Sequence, residues 1–340
     1  MKVSKTFSII IPVYNGQDIV GRALDSIYSQ GLAEESFQVI CVDDSSPTME
    51  TFDVLNNYKY NGTHPSNLLV LRHELNRRQG GARNTALLHA EGEWILYLDQ
   101  DDLFVGGNLR NLLGQLNDYA YCDIVMFDYE WRTFSSVGQN VVCNVYVNRG
   151  LMSDVITGGE FIRKYPMPWT PWCYAYKRTF LFEHGIAFAE NVRFEDIDYV
   201  MKCTLFARKM VFLPICVYCH IEHGENTSFI GNDRNKLEDM FRISIRMRDV
   251  AENFMQVDYS AGMAAMRHHI YHYHDLLVRY LWRQSYSHII GLLKTYPPYE
   301  QSDNWLINNT SRNPHVYALL ALLLKPILLG VLQIKKMINE

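Results

Sequence analysis

Residues 94–102 read WILYLDQDD, an apolar run from Trp94 to Leu98 that stops in three carboxylates, Asp99, Asp101 and Asp102. Like charges about 4 Å apart repel by roughly 4 kcal/mol at an effective dielectric near 20. A chain that crowds carboxylates at the end of a buried strand therefore needs a cation there. Trp94–Leu98 reads as a strand because it is short, continuously apolar and bounded by polar residues. Outward from it the pattern repeats. Phe7–Val13 (FSIIIPV), Phe37–Val42 (FQVICV) and Leu68–Leu71 are further strands. Between the strands, Asp18–Gln30 places Ile19, Ala23, Leu24 and Ile27 at helical spacing, and Gly80–Ala90 also reads as helix. This alternation predicts an α/β fold: an open, mostly parallel sheet with helices on both faces. Ligands bind such sheets beyond the carboxyl ends of the strands. Those ends carry Pro12–Asn15, Asp43-Asp44, Arg72–Asn76 and Asp99–Asp102, so polar chemistry collects along one edge.

The formal charge of −5 over 340 residues gives nucleic acid no support as a partner, and 48% hydrophobic residues exclude wholesale disorder. Met1–Thr6 leads directly into a strand and leaves no room for a signal peptide. The 7 cysteines show no framework spacing, so reduced thiols in a cytoplasmic protein are expected. Past residue 105, Ile124–Tyr129, Val141–Val147 and Met210–Glu222 have strand character. From Arg234 to Leu293 the chain is helical and amphipathic.

Several motifs fail on chemistry. Gly16–Ala23 follows a strand like a P-loop but lacks the Lys and hydroxyl that hold phosphate and magnesium. No G-x-G-x-x-G follows the first strand. Cys216-Val-Tyr-Cys219-His220 has the spacing of c-type haem attachment, but in a strand the two thiols face opposite sides. His268 and His272 form an i, i+4 pair without an evident third ligand, so a polar helix face is expected.

The carboxylate cluster has better company. Asp99, Asp101 and Asp102 offer hard oxygen ligands suited to Mg²⁺ or Mn²⁺, with substrate phosphates completing the shell. An acidic turn with a helix cap is the plainer reading of the same three residues. Asp43 ends a strand where a carboxylate can accept from the imide N–H of a pyrimidine. In NRRQGGARN (76–84), Gly80 and Gly81 stand ahead of a helix with Arg83 in its first turn, an arrangement suited to a pyrophosphate. Glu195-Asp196 supplies a separate acid pair for base catalysis.

With these pieces assembled, the sequence resembles a family 2 glycosyltransferase of the GT-A fold, the inverting nucleotide-sugar enzymes of bacterial polysaccharide synthesis. The matching segments are FSIIIPVYNG (7–16), VDDSS (42–46), NRRQGGARNTAL (76–87), GEWILYLDQDD (92–102), WCYAYKRTFLFEHGIAFAE (172–190), FEDIDYV (194–200) and VYCHIEHGENTS (217–228). The resemblance implies that Pro12, Val13 and Tyr14 line the base pocket, that Asp43 contacts the base and that Arg83 lies near the nucleotide. It makes Asp99 and Asp101 the D-x-D pair, with Asp101 the main metal ligand and Asp102 extending the cluster. It makes Asp196 the catalytic base and puts His223 near the donor phosphates. It divides the chain into a nucleotide-sugar-binding half (1–105), an acceptor and catalytic-base half (106–232) and a C-terminal helical extension (233–340). The implied reaction moves a hexose or N-acetylhexosamine from a UDP-sugar to a hydroxyl of a growing, lipid-linked glycan, with Mn²⁺ or Mg²⁺ as cofactor. The product would be a capsule, exopolysaccharide or lipopolysaccharide glycan. A non-catalytic nucleotide-sugar or glycan-binding subunit is the alternative. A sugar-1-phosphate nucleotidylyltransferase would need a Gly-rich basic loop where PVYNG stands.

One departure from the family's Asp-Asp-Gly-Ser turn is Asp43-Asp44-Ser45-Ser46, which is tolerable if Ser45 avoids positive φ. Trp169, Trp172 and Tyr174 precede the acid pair and offer faces for an acceptor sugar, with core packing expected of at least one. The apolar Val316–Leu324 is too short to span a bilayer. With Lys335 and Lys336 behind it, the segment suits an interfacial helix on an anionic inner membrane, or a helix docked on protein.

Overall fold

The computed structural model describes residues 5–61, 66–134, 140–146, 154–222, 233–297, 299 and 305–323. The chain divides into two units, 1–226 and 227–340. In the first, β1 (Phe7–Val13), β2 (Phe37–Asp43), β3 (Leu68–Arg72) and β4 (Trp94–Tyr97) alternate with α1 (Val20–Tyr28), α2 (Glu50–Asn61) and α3 (Arg78–Leu88). β5 (Leu103–Phe104), α4 (Asn108–Leu116), β6 (Ile124–Phe134), β7 (Asn140–Tyr146), α5 (Gly158–Lys164) and β8 (Tyr174–Lys177) follow. α6 (Arg178–Glu183), α7 (Glu195–Phe206) and β9 (Met210–Glu222) complete the unit.

The sheet runs β3-β2-β1-β4-β8-β6-β9-β5, with β7 beside β6. β1 to β4 are parallel throughout. Beyond β4 the sheet is mixed: β8 pairs antiparallel to both β4 and β6, and β6 returns parallel to β9. Every residue of β1 and β2 is buried, as expected of central strands covered on both faces. α1 buries Val20, Ala23, Leu24 and Ile27, so Val20 takes the place expected of Ile19, which is the half-buried N-cap. Each fully buried aliphatic side chain of this kind contributes about 1.5–3 kcal/mol.

The second unit is helical: α8 (Arg234–Met255), α9 (Tyr259–Arg279), α10 (Tyr286–Thr295) and α11 (Trp305–Arg312), with 314–323 also helical. Asp233 and Asp258 cap α8 and α9 by accepting from first-turn backbone N–H groups. His268 and His272, expected on a polar face of α9, are half-buried, and His269 between them turns inward. That side chain is fully buried, and its Nδ1 donates to the Ser244 carbonyl at 2.8 Å. Burial pushes its pKa down to about 3 and that of His272 down to about 4. Cys216 and Cys219 are free thiols within β9.

Candidate active site

The parallel register sets Val13, Asp43 and Arg72 side by side at the carboxyl ends of β1, β2 and β3. Asp43 is fully buried, yet both its oxygens are used. Oδ1 accepts from the Ser46 N–H and hydroxyl, and Oδ2 accepts from Arg72. Ser46 Oγ in turn accepts from the Asn15 N–H, which ties the loop after β1 to the loop after β2. Asp44 holds the next layer by pairing with His73 and accepting from the Arg77 N–H. Ser45 has φ +61°, so the condition for easy loss of the family glycine is not met. A serine there carries left-handed strain of roughly 1 kcal/mol. Asn15, Arg78, Asn191 and Phe194 also have positive φ, with Asn15 and Ser45 in the loops that follow β1 and β2.

Gln100 braces this edge from the other side. Its amide oxygen accepts from the Tyr14 N–H, and its amide nitrogen donates to the Tyr14 carbonyl. Beside it stands Arg83, with no solvent exposure at all. Its Nη2 donates to Asp99 at 2.8 Å, while Nη1 donates to Glu195 at 2.8 Å and Asp196 at 2.7 Å. Its planar face lies over Phe188, 5.0 Å from the ring centre. Burial alone would weaken the guanidinium charge, but Asp196, Asp99 and Glu195 outweigh burial and hold it protonated. The cation demanded by the strand-end carboxylates is thus, for Asp99, a side chain of α3.

One cation cannot fully offset three carboxylates. Burial and the neighbouring Asp196 push Glu195 up to about 8, against the pull of Arg83. Burial also raises Asp196, to about 6, with Arg83 opposing and Asp99 reinforcing. Burial thus raises both carboxyls, Glu195 further than Asp196, so Glu195 is the one of the pair that holds its proton to higher pH. Asp196 keeps 29% of its side chain exposed, so it faces solvent while Arg83 and Glu195 are sealed in.

Residues 8–164 match the model for glycosyl transferase family 2. Over that segment the chain is similar to this family. It is 43% identical, over 28% of its length, to a poly(ribitol-phosphate) beta-glucosyltransferase of Bacillus spizizenii, covering 14% of that protein. It is 27% identical, over 74% of its length, to the poly(ribitol-phosphate) beta-N-acetylglucosaminyltransferase TarS of Staphylococcus aureus, covering 41% of that protein. The chain thus spans less than half the length of either relative. The crystal structure of S. aureus TarS residues 1–349 with UDP-GlcNAc superposes with a TM-score of 0.63 at 21% identity. That superposition covers 86% of this chain and 82% of that one, and establishes the GT-A fold.

Within this GT-A framework the three aspartates of the strand-end cluster separate. Asp102 is buried, and its oxygens accept from the Tyr218 hydroxyl at 2.6 Å, the Ile221 N–H at 2.7 Å and His220 Nδ1 at 3.1 Å. It fastens the D-x-D loop to β9, which corrects its assignment as a third metal ligand. Among the described residues no group of three or more His, Cys, Asp or Glu could hold a metal ion. Asp99 is engaged by Arg83, and Asp101, the second carboxylate of the D-x-D pair, is half-buried. A hard cation held by one carboxylate, water and substrate phosphates fits that donor set; a three-carboxylate cage does not.

The glycines of 76–84 also change role. Gly80 and Gly81 lie inside α3, not ahead of it, and Arg83 sits in the second turn. A Cβ at Gly80 would stand 2.2 Å from the Ala189 carbonyl oxygen and 3.1 Å from Glu195 Cγ. The close approach serves the chain leading to the acid pair. Arg77 and Asn84 hold that chain through Glu190. Pro12 and Val13 are buried at the end of β1, and Tyr14 is exposed beside them. His223 lies outside the described residues.

Trp172 and Tyr174 are core residues: Trp172 stacks on Tyr218 at 4.2 Å, and Tyr174 donates to the Pro168 carbonyl. Trp169 remains half-buried. In the sequence Arg72 stands out only as a strand-end residue and His220 only within a haem-like spacing, and neither reads as a site residue. Arg72 ends a strand parallel to that of Asp43, and His220 shares a face of β9 with Tyr218 at period two. His220 packs edge-on to Trp131 at 4.5 Å. Burial opposes its protonation, but the bond to Asp102 and the nearby Asp99 raise its pKa overall.

Proposed function

We propose that the chain is an inverting glycosyltransferase that moves a hexose or N-acetylhexosamine from a UDP-sugar to a hydroxyl of a growing glycan. The observation that carries this reading is the shared contact at Arg83, which joins Asp99 of the D-x-D strand end to Asp196 at the start of α7. A donor diphosphate near the strand ends and an acceptor hydroxyl near Asp196 would then meet across one rigid ion cluster. Positioning of this kind is worth much of a bimolecular barrier.

The chain's own residues take distinct parts. Asp43, already held by Arg72 and Ser46, presents a buried carboxylate to a pyrimidine imide N–H, with Pro12, Val13 and Tyr14 around the base. Asp101 would hold Mn²⁺ or Mg²⁺ together with donor phosphate oxygens. When bound, that cation neutralises charge on the departing diphosphate. Asp196 takes the proton of the acceptor hydroxyl as it attacks the anomeric carbon from the face opposite the leaving group. One displacement inverts the centre, so one base suffices. A pKa of about 6 keeps Asp196 ionised at neutral pH yet more basic than an ordinary aspartate. Glu195, which holds its proton to higher pH than Asp196, spares the site a further negative charge.

The TarS relative, named as a sugar transferase onto poly(ribitol phosphate), supports a polymeric acceptor, and its structure with UDP-GlcNAc supports a UDP donor. A lipid-linked acceptor at the inner face of the cell membrane completes the reading. Calorimetric titration of UDP, GDP and dTDP with and without Mn²⁺ tests the donor half. UDP should bind most tightly, with metal dependence lost in Asp101→Ala. Binding of none of the three would remove the nucleotide-sugar reading.

A further inference from the structure

The helix over 314–323 has two apolar faces, and its own unit accounts for only one. Ala318 and Ala321 are buried, and the Tyr317 hydroxyl donates to the Leu277 carbonyl of α9 at 2.7 Å, so this face docks on the helical unit. Val316, Leu319, Leu320 and Leu323 stand at i, i+3, i+4 and i+7 on the opposite side, between 48% and 71% exposed. At 3.6 residues per turn they fall within an arc of about 100°, a continuous stripe. A soluble helix normally gives polar residues to such a face. Here the polar residues are missing where they would be expected.

Charge says what covers the stripe. Residues 304–339 contain no Asp or Glu and carry Arg312, Lys325, Lys335 and Lys336, in a chain whose formal charge is −5. A bare apolar stripe inside a 36-residue stretch that is acid-free and basic matches an anionic lipid surface, which takes apolar side chains into its acyl boundary and cations at its headgroups. No helix among the described residues is long and apolar enough to cross a membrane, so the contact lies in the interface plane.

We infer that Val316, Leu319, Leu320 and Leu323 form a docking surface for an anionic membrane. This gives the membrane contact of the proposed function its residues, and it rests on that reading only for the benefit of the location, since the stripe lies in the helical unit. The test is flotation of the full chain with phosphatidylcholine vesicles, with and without phosphatidylglycerol, at low and high salt, beside the double variant Leu320→Glu/Leu323→Glu. The wild type should float with phosphatidylglycerol vesicles only and be released by salt. The variant should bind at least tenfold more weakly while keeping wild-type UDP affinity. Equal flotation of variant and wild type, or no flotation of either, would overturn the inference. So would a wild-type dimer that the variant dissolves without any vesicle binding, because the stripe would then belong to a second copy. Loss of UDP binding by the wild type would count against the transferase reading and leave the vesicle result standing.

Discussion

Replacing Arg83 with Gln removes the one cation that, among the described residues, pairs with Asp99, Glu195 and Asp196, each at 2.7–2.8 Å. Breaking a buried ion pair by deleting one partner costs about 3–5 kcal/mol. The lower end applies here, because Asp99 and Asp196 keep 21% and 29% side-chain exposure and Glu195 holds its proton to higher pH than Asp196. Arg83→Gln should therefore lose about 3 kcal/mol in urea unfolding. A charge-assisted hydrogen bond is worth about 1.5–3 kcal/mol, equivalent to about one to two pH units for the group it stabilises. The acid limb of kcat/KM for UDP release, expected near the Asp196 value of about 6, should move upward by that amount. Activity at neutral pH should fall and partly return at alkaline pH. Arg83→Lys keeps the charge but not the fork that reaches three carboxylates, so its limb should stay near the wild-type position with a smaller loss of stability. An Arg83→Gln variant with unchanged stability and an unchanged acid limb would refute the ion-cluster account.

Two further outcomes follow from neighbouring geometry. Gly80→Ala would drive a Cβ into the Ala189 carbonyl and against Glu195, so thermal unfolding should show a loss of about 1–3 kcal/mol, with reduced transfer as the acid pair shifts. An alanine variant with wild-type melting would mean the 189–195 segment yields freely. The helical unit should be acid-sensitive through His269, which stays neutral when folded, with a pKa near 3, but titrates near 6.5 when unfolded. The unfolded chain binds the extra proton, so stability is complete above pH 6.5 and is lost as pH falls toward 3. By pH 5 the loss should reach about 2 kcal/mol, and His269→Gln should flatten that slope in pH-dependent melting.

The parallel half of the sheet was legible because its strands are buried on both faces. FSIIIPV and FQVICV cannot be confused with amphipathic helix at that length and β-branching. Strand-end positions then located Asp43 and Asp99 without any contact information. What spacing could not reveal was which partner each carboxylate takes. Asp99 and Asp102 are three residues apart, yet one meets Arg83 from α3 and the other meets Tyr218 and Ile221 from β9. Those partners lie far along the chain, and only the tertiary fold chooses between them. Gly80 was read as room for a phosphate when the room is taken by Ala189. Ser45 shows that a turn can keep its left-handed residue after losing its glycine, at the cost of strain. His268 and His272 suggested a polar face, yet both are half-buried and the adjacent His269 is buried, because helical period alone does not say which side α8 covers.

The most direct test of the central claim is the rate of UDP release from UDP-glucose, UDP-galactose and their N-acetyl counterparts, measured with Mn²⁺ for the wild type and Asp196→Asn, alongside calorimetric UDP affinity. The account predicts release from at least one donor by the wild type, a loss of about 10²-fold or more in the variant, and UDP affinity within about twofold. Wild-type turnover in Asp196→Asn with unchanged UDP affinity would contradict it.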